Sequence, residues 1–136
     1  MAIQSFDFST GKAIDSSKRK VITCEYEMED LSVLSKIIRS KKFQIAGKGG
    51  DERSLLELAR KHKSGMMFLD INATGFDAFE VLNKVKNTYK EFMVILTSDD
   101  AGEETVKKAI MSGADGFAVK PFQAESIKKV MDKFDE

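Results

Sequence analysis

From Lys20 onward the chain alternates between short apolar runs and amphipathic stretches. Five runs stand out: Val21 to Cys24, Phe43 to Ala46, Met66 to Leu69, Phe92 to Leu96 and Phe117 to Val119. Each is strand-sized and bounded by polar residues or glycine. A nearly unbroken apolar run is what a strand buried on both faces requires, as in a parallel sheet. Between the runs lie helical periods. Leu31, Leu34, Ile37 and Ile38 share one helix face, as do Leu55, Leu58 and Ala59, then Ala78, Leu82 and Val85, then Val106, Ala109 and Ile110. Ile127, Val130, Met131 and Phe134 form the cleanest stripe. All five stripes are read as core-facing, and Gly113 is placed to stop the fourth helix.

The order is five repeats of strand then helix, which predicts an α/β domain with a doubly wound, five-stranded parallel sheet and helices on both faces. The common strand order for such a domain is 2-1-3-4-5, with its site at the carboxyl ends of the strands. Residues 1–19 keep no sustained apolar period and are expected to be a flexible arm, with residues 20–136 as the domain. Phe6 and Phe8 alternate and offer a weaker reading as a short docked strand.

Charge and composition narrow the partners. The 22 basic and 22 acidic side chains cancel, which gives no footprint for sequence-independent nucleic-acid binding, although local basic patches are not excluded. No stretch approaches the roughly 20 apolar residues of a membrane span, and the first residues lack a signal-peptide core. Neither nucleic-acid binding nor membrane insertion is expected. The single cysteine, Cys24, precludes an intramolecular disulfide, fits a cytoplasmic location and is read as a buried, inert thiol. His62, within Arg60-Lys61-His62-Lys63, reads as an exposed helix-end residue. One histidine and one cysteine far apart make a zinc site unpromising.

Chemistry is sought at the strand ends. They read Cys24-Glu25-Tyr26-Glu27, Leu69-Asp70-Ile71-Asn72, Leu96-Thr97-Ser98-Asp99 and Val119-Lys120-Pro121-Phe122. A carboxylate nucleophile can form an acyl phosphate. A lysine can balance charge on the phosphoryl oxygens, and a hydroxyl can donate to one of them. A divalent cation held by carboxylates and a carbonyl normally assists. Each residue also has a bland reading. Asp70 could cap a turn, Thr97 and Ser98 could cap a helix, and Lys120 could be a solvated cation. Joint placement is what favours chemistry.

These strand ends carry a family resemblance. Phe68-Leu69-Asp70-Ile71-Asn72 is similar to the phosphoacceptor strand end of bacterial response-regulator receiver domains. Leu96-Thr97-Ser98 is similar to their switch-hydroxyl motif. Gly113-Ala114-Asp115-Gly116-Phe117-Ala118-Val119-Lys120-Pro121-Phe122 closely resembles the segment around the family's lysine. The resemblance implies a flavodoxin-like receiver fold, with Asp70 as phosphoacceptor, Thr97 and Lys120 as its catalytic partners, and Thr97 and Phe117 as the switch pair. It implies a cis Lys120-Pro121 bond and Mg2+ bound by Glu25, Asp70 and the Asn72 carbonyl. It also implies a histidine kinase as phosphodonor and a downstream protein target, engaged through the fourth helix, fifth strand and fifth helix. With no effector segment after Glu136, the chain resembles stand-alone regulators such as those of chemotaxis. It would be a signalling domain, catalysing at most its own phosphoryl transfer and dephosphorylation.

Two departures from the family pattern matter. Its adjacent acidic pair falls on Glu25 and Tyr26, so a tyrosine stands where a metal-binding carboxylate is expected. The turn Asn72-Ala73-Thr74-Gly75-Phe76-Asp77-Ala78 lacks the usual proline near Thr74 and glycine near Ala78. A missing carboxylate should weaken Mg2+ binding. The alternative function is a degenerate receiver that binds partners without phosphorylation, with Tyr26 filling the crevice. A small enzyme or flavin-binding domain of the same fold is disfavoured, because no phosphate-cradling run follows the first strand.

Overall fold

The computed structural model describes residues 3–7, 12–15, 19–24, 26–40 and 43–134. In chain order the elements are β1 (Ile3–Asp7), β2 (Lys12–Asp15), β3 (Arg19–Cys24), α1 (Met28–Ser40), β4 (Phe43–Gly49), α2 (Glu52–His62), β5 (Gly65–Asp70), α3 (Ala78–Thr88), β6 (Phe92–Ser98), α4 (Glu103–Met111), β7 (Gly116–Val119) and α5 (Ala124–Phe134). Strands β3 to β7 form one five-stranded sheet in the order β4-β3-β5-β6-β7, every pair parallel. Counted from β3, that is the expected order 2-1-3-4-5.

The sheet separates two apolar layers, and strand pleating decides which residue joins which. Along β5, Met66 and Phe68 join Leu34, Ile38, Ile127 and Met131 on one side. Met67 and Leu69 join Leu55, Ala59, Leu82, Val85 and Ala109 on the other. All six β5 residues are buried, so this central strand has no polar face and reads as an unbroken apolar run.

Helix ends follow local chemistry. The Asp51 carboxylate accepts from the Ser54 amide at 2.8 Å to start α2, and Asp77 accepts from the Phe79 amide at 2.9 Å to start α3. Gly113, at φ +94°, ends α4. Its amide donates to Ile110 and that of Ala114 to Ala109, the paired closure that a left-handed residue allows. Asp115 then fixes the next strand, its carboxylate accepting from the Val94 amide and the Lys86 ammonium, both at 2.8 Å.

The structure adds detail to the first residues and corrects two expectations, on the fourth stripe and on His62. The stretch 1–19 contains two strands, β1 and β2, which pair antiparallel as a separate two-stranded sheet, and Arg19 already belongs to β3. The weaker reading anticipated a strand at Phe6, which lies in β1; Phe8 and Glu25 lie outside the described residues. In the fourth stripe only Ala109 is fully buried, and Ile110 is 68% exposed, because the nine-residue α4 rests on the end of the sheet by a single narrow edge. His62 closes α2 half-buried rather than exposed. No helix among the described residues is long and apolar enough to cross a membrane.

Candidate functional site

Parallel strands bring their carboxyl ends to one edge, and three loops are stitched together there. The Ile71 amide donates to the Thr97 carbonyl and the Lys120 amide to the Ser98 carbonyl, each at 2.8 Å. The Asn72 side chain accepts from the Asp99 amide at 3.0 Å. Beneath these links lies a crevice of about 420 Å³ lined by Tyr26, Glu27, Asp30, Asp70, Asn72, Asp99, Lys120 and Pro121. A wider groove of about 610 Å³ runs along β4 and α2 among basic side chains, and none of the residues expected at the site lies there.

Asp70 is 8% exposed. Its Oδ2 accepts from Lys120 Nζ at 2.7 Å and its Oδ1 from the Asn72 amide at 3.0 Å. One Asp70 oxygen thus serves the turn and the other faces the lysine. Burial alone would pull the Lys120 ammonium down. The hydrogen bond and charge of Asp70, with Asp30 and Asp99 behind it, outweigh that and hold it above the ordinary lysine value. The Lys120-Pro121 bond is cis.

Thr97 is fully buried. Its hydroxyl donates to the Leu69 carbonyl at a long 3.4 Å and meets the Tyr26 phenol at 2.7 Å. It caps no helix: the N-cap of α4 is Gly102, which offers no side-chain cap, and the Ser98 hydroxyl accepts from the Asp100 amide instead. Phe117 is half-buried and packs on the layer of α2, α3 and α4.

Tyr26 carries the departure from the family pattern into three dimensions. Its ring meets that of Phe122 edge-on, with centroids 5.4 Å apart. Burial, then the Cys24 charge, drive its phenol well above the ordinary tyrosine value, so it is neutral. Burial also pushes the Cys24 thiol beneath it up to about 11. A buried neutral phenol is a poor ligand for a hard cation. Among the described residues no cluster of three metal-ligating side chains occurs. Asp30, Asp70 and Asp99 line the crevice and make it acidic without closing into such a cluster.

Of the residues expected from sequence, Asp70, Asn72, Thr97, Lys120 and Tyr26 converge on this edge, while Phe117 lies three residues before Lys120 on β7, paired with Leu96. Asp30 and Asp99 were not anticipated. Asp99 is the last residue of the strand end Leu96-Thr97-Ser98-Asp99 but was given no role, and Asp30 lies three positions past Glu27 in α1. The Tyr26–Thr97 bond left no trace in the sequence, since it joins residues 71 positions apart.

Comparisons with known proteins bear on the family and the fold. The family model described as the response regulator receiver domain matches residues 21–132. The two-component response regulator ORR3 of Oryza sativa subsp. indica is 22% identical over 124 residues, covering 90% of this chain and 95% of that protein. The chemotaxis protein CheY of Halobacterium salinarum is 27% identical over 101 residues, covering 74% of this chain and 84% of that protein. Among solved structures, a chain of the CheX-CheY-BeF3-Mg complex from Borrelia burgdorferi superposes with a TM-score of 0.76 at 21% identity. It covers 98% of this chain and 97% of its own, which speaks to the fold.

Proposed function

The chain belongs to the response regulator receiver domain family, and from that premise we propose that residues 20–136 accept a phosphoryl group on Asp70 from a histidine kinase, with residues 1–19 as an appendage. The observation that carries this reading is the 2.7 Å contact of Lys120 Nζ with Asp70 Oδ2 in a crevice at the sheet's carboxyl edge. An Asp70 oxygen bonds to phosphorus as the phosphorus–nitrogen bond of a phosphohistidine breaks, and the electron pair leaves with the imidazole. Lys120 balances the charge gathering on the phosphoryl oxygens. Thr97 then turns its hydroxyl to one of them, and Phe117 follows. The domain signals by shifting between two conformations.

A magnesium ion would rest on Asp70, the Asn72 carbonyl and Glu25, and would neutralise phosphoryl charge when bound. With Tyr26 beside it, that set is one carboxylate short and the ion weakly held. The output face is formed by α4, β7 and α5. Ile110, Met111 and Val119 there are 68%, 77% and 38% exposed, apolar surface suited to a protein partner. Balanced charge argues against nucleic acid as that partner, and a free buried thiol suits a cytoplasmic setting.

Incubation with acetyl phosphate and magnesium, followed by mass spectrometry, should show one added phosphoryl group in the wild type and none in Asp70→Asn. An unlabelled wild type would overturn the phosphoacceptor reading and leave a phosphorylation-independent binding module.

A further inference from the structure

We propose that Tyr26 is a gate over Thr97: its phenol screens the switch hydroxyl from the crevice and must swing aside before a phosphoryl group on Asp70 can reach it. This rests on the reading of Asp70 and Thr97 given above, and it concerns a position at which the chain departs from the family pattern.

Three observations carry it. Thr97 sits beside Asp70 in the β5–β6 ladder, yet it is fully buried and contributes nothing to the crevice lining, whereas Tyr26 does. The phenol oxygen lies 2.7 Å from Thr97 Oγ1, and the remaining bond of that hydroxyl is the long one to Leu69. The Tyr26 contact is thus its main tie. The ring lies edge-on to Phe122 and against the apolar layer of α1 and α5, so it is held by neutral packing and not by an ion pair. A contact of this kind is strong enough to set a resting position and weak enough to yield to a charged acceptor.

Substitution by phenylalanine removes the tie but keeps the ring. At saturating magnesium, beryllofluoride, which mimics a phosphoryl group on a carboxylate, should bind Tyr26→Phe about fivefold more tightly than wild type, the factor lost with one neutral hydrogen bond. Tyr26→Ala, which removes the screen as well, should gain more. In a Thr97→Val background the gain from Tyr26→Phe should vanish, because no hydroxyl remains to be released. Equal affinity of wild type and Tyr26→Phe would overturn the gate, as would a gain that survives in Thr97→Val.

A second measurement needs no phosphoryl mimic. Three-bond NMR couplings across Thr97 χ1 should report one rotamer in the wild type and averaging in Tyr26→Phe. If no variant captures beryllofluoride, the phosphoacceptor reading fails, and the couplings alone decide the gate. Unchanged Thr97 couplings in Tyr26→Phe would refute it.

Discussion

On the β7 side of the crevice, Lys120 meets Asp70 ion to ion at 2.7 Å; on the β3 side, Tyr26 meets Thr97 phenol to hydroxyl at the same 2.7 Å. Equal distances hide unequal physics. The first contact joins two opposite charges whose side chains are only 16% and 11% exposed, so losing either partner strands the other in poor solvent. The second joins two neutral groups and is worth on the order of 1 kcal/mol net. One wall of the crevice is therefore fixed by charge, and the other is held by a bond cheap enough to exchange. A phosphoryl group arriving between them would find its countercharge already in place and its switch hydroxyl covered.

The largest test of that contrast is stability. Lys120→Met should cost about 3 kcal/mol in chemical denaturation, because Asp70 keeps its charge and loses its partner. Tyr26→Phe should cost about 1 kcal/mol or less. Combining Lys120→Met with Asp70→Asn should recover most of the loss. If the two single substitutions cost the same, the two walls do not differ as described.

A second test uses alkali. The Cys24 thiol under Tyr26 is raised from 9.0 to about 11 by burial. A group whose folded value is raised contributes stability that is complete below its unfolded value and lost as pH climbs through the folded one. Cys24 should therefore leave stability untouched below pH 9 and remove about 2 kcal/mol by pH 11. Lys120 is also raised and loses its contribution in the same direction, so the thiol must be isolated as the difference between wild type and Cys24→Ala. A difference that does not change between pH 8 and pH 11 would mean that the β3 wall is wetter than its burial implies.

Much of this architecture was legible because burial on both faces writes unbroken apolar runs, and the residue that ends each run marks the edge where chemistry can gather. Asp70 and Lys120 were found that way. Ile110 was misplaced because periodicity shows that a helix has an apolar stripe and is silent on how much sheet lies under it. The β1–β2 pair escaped because residues 1–19 keep no sustained apolar period. Asp115, which ties Val94 and Lys86, and the Tyr26–Thr97 bond depend on side-chain direction across the fold, which no linear pattern records.

The smallest expected effect bears most directly on the β3 wall. Tyr26→Asp would put a carboxylate into the crevice that Asp70 lines, and the number of charged ligands strongly tunes divalent affinity. Magnesium should bind about tenfold more tightly, roughly 1.4 kcal/mol, and the yield of phosphorylated Asp70 from a small donor should rise with it. The same change removes the ring from Phe122, a loss of about 1 kcal/mol of aromatic contact, so the metal-free protein should melt slightly lower. Adding magnesium should then return more stability to the variant than to the wild type, because an ion that binds only the folded state stabilises in proportion to its affinity. Titrating magnesium against both proteins, with thermal melts alongside, separates the two contributions. Unchanged magnesium affinity with a lower melting temperature would remove Tyr26 from the metal corner and leave it as a purely structural wall, set against the charged one that Lys120 builds.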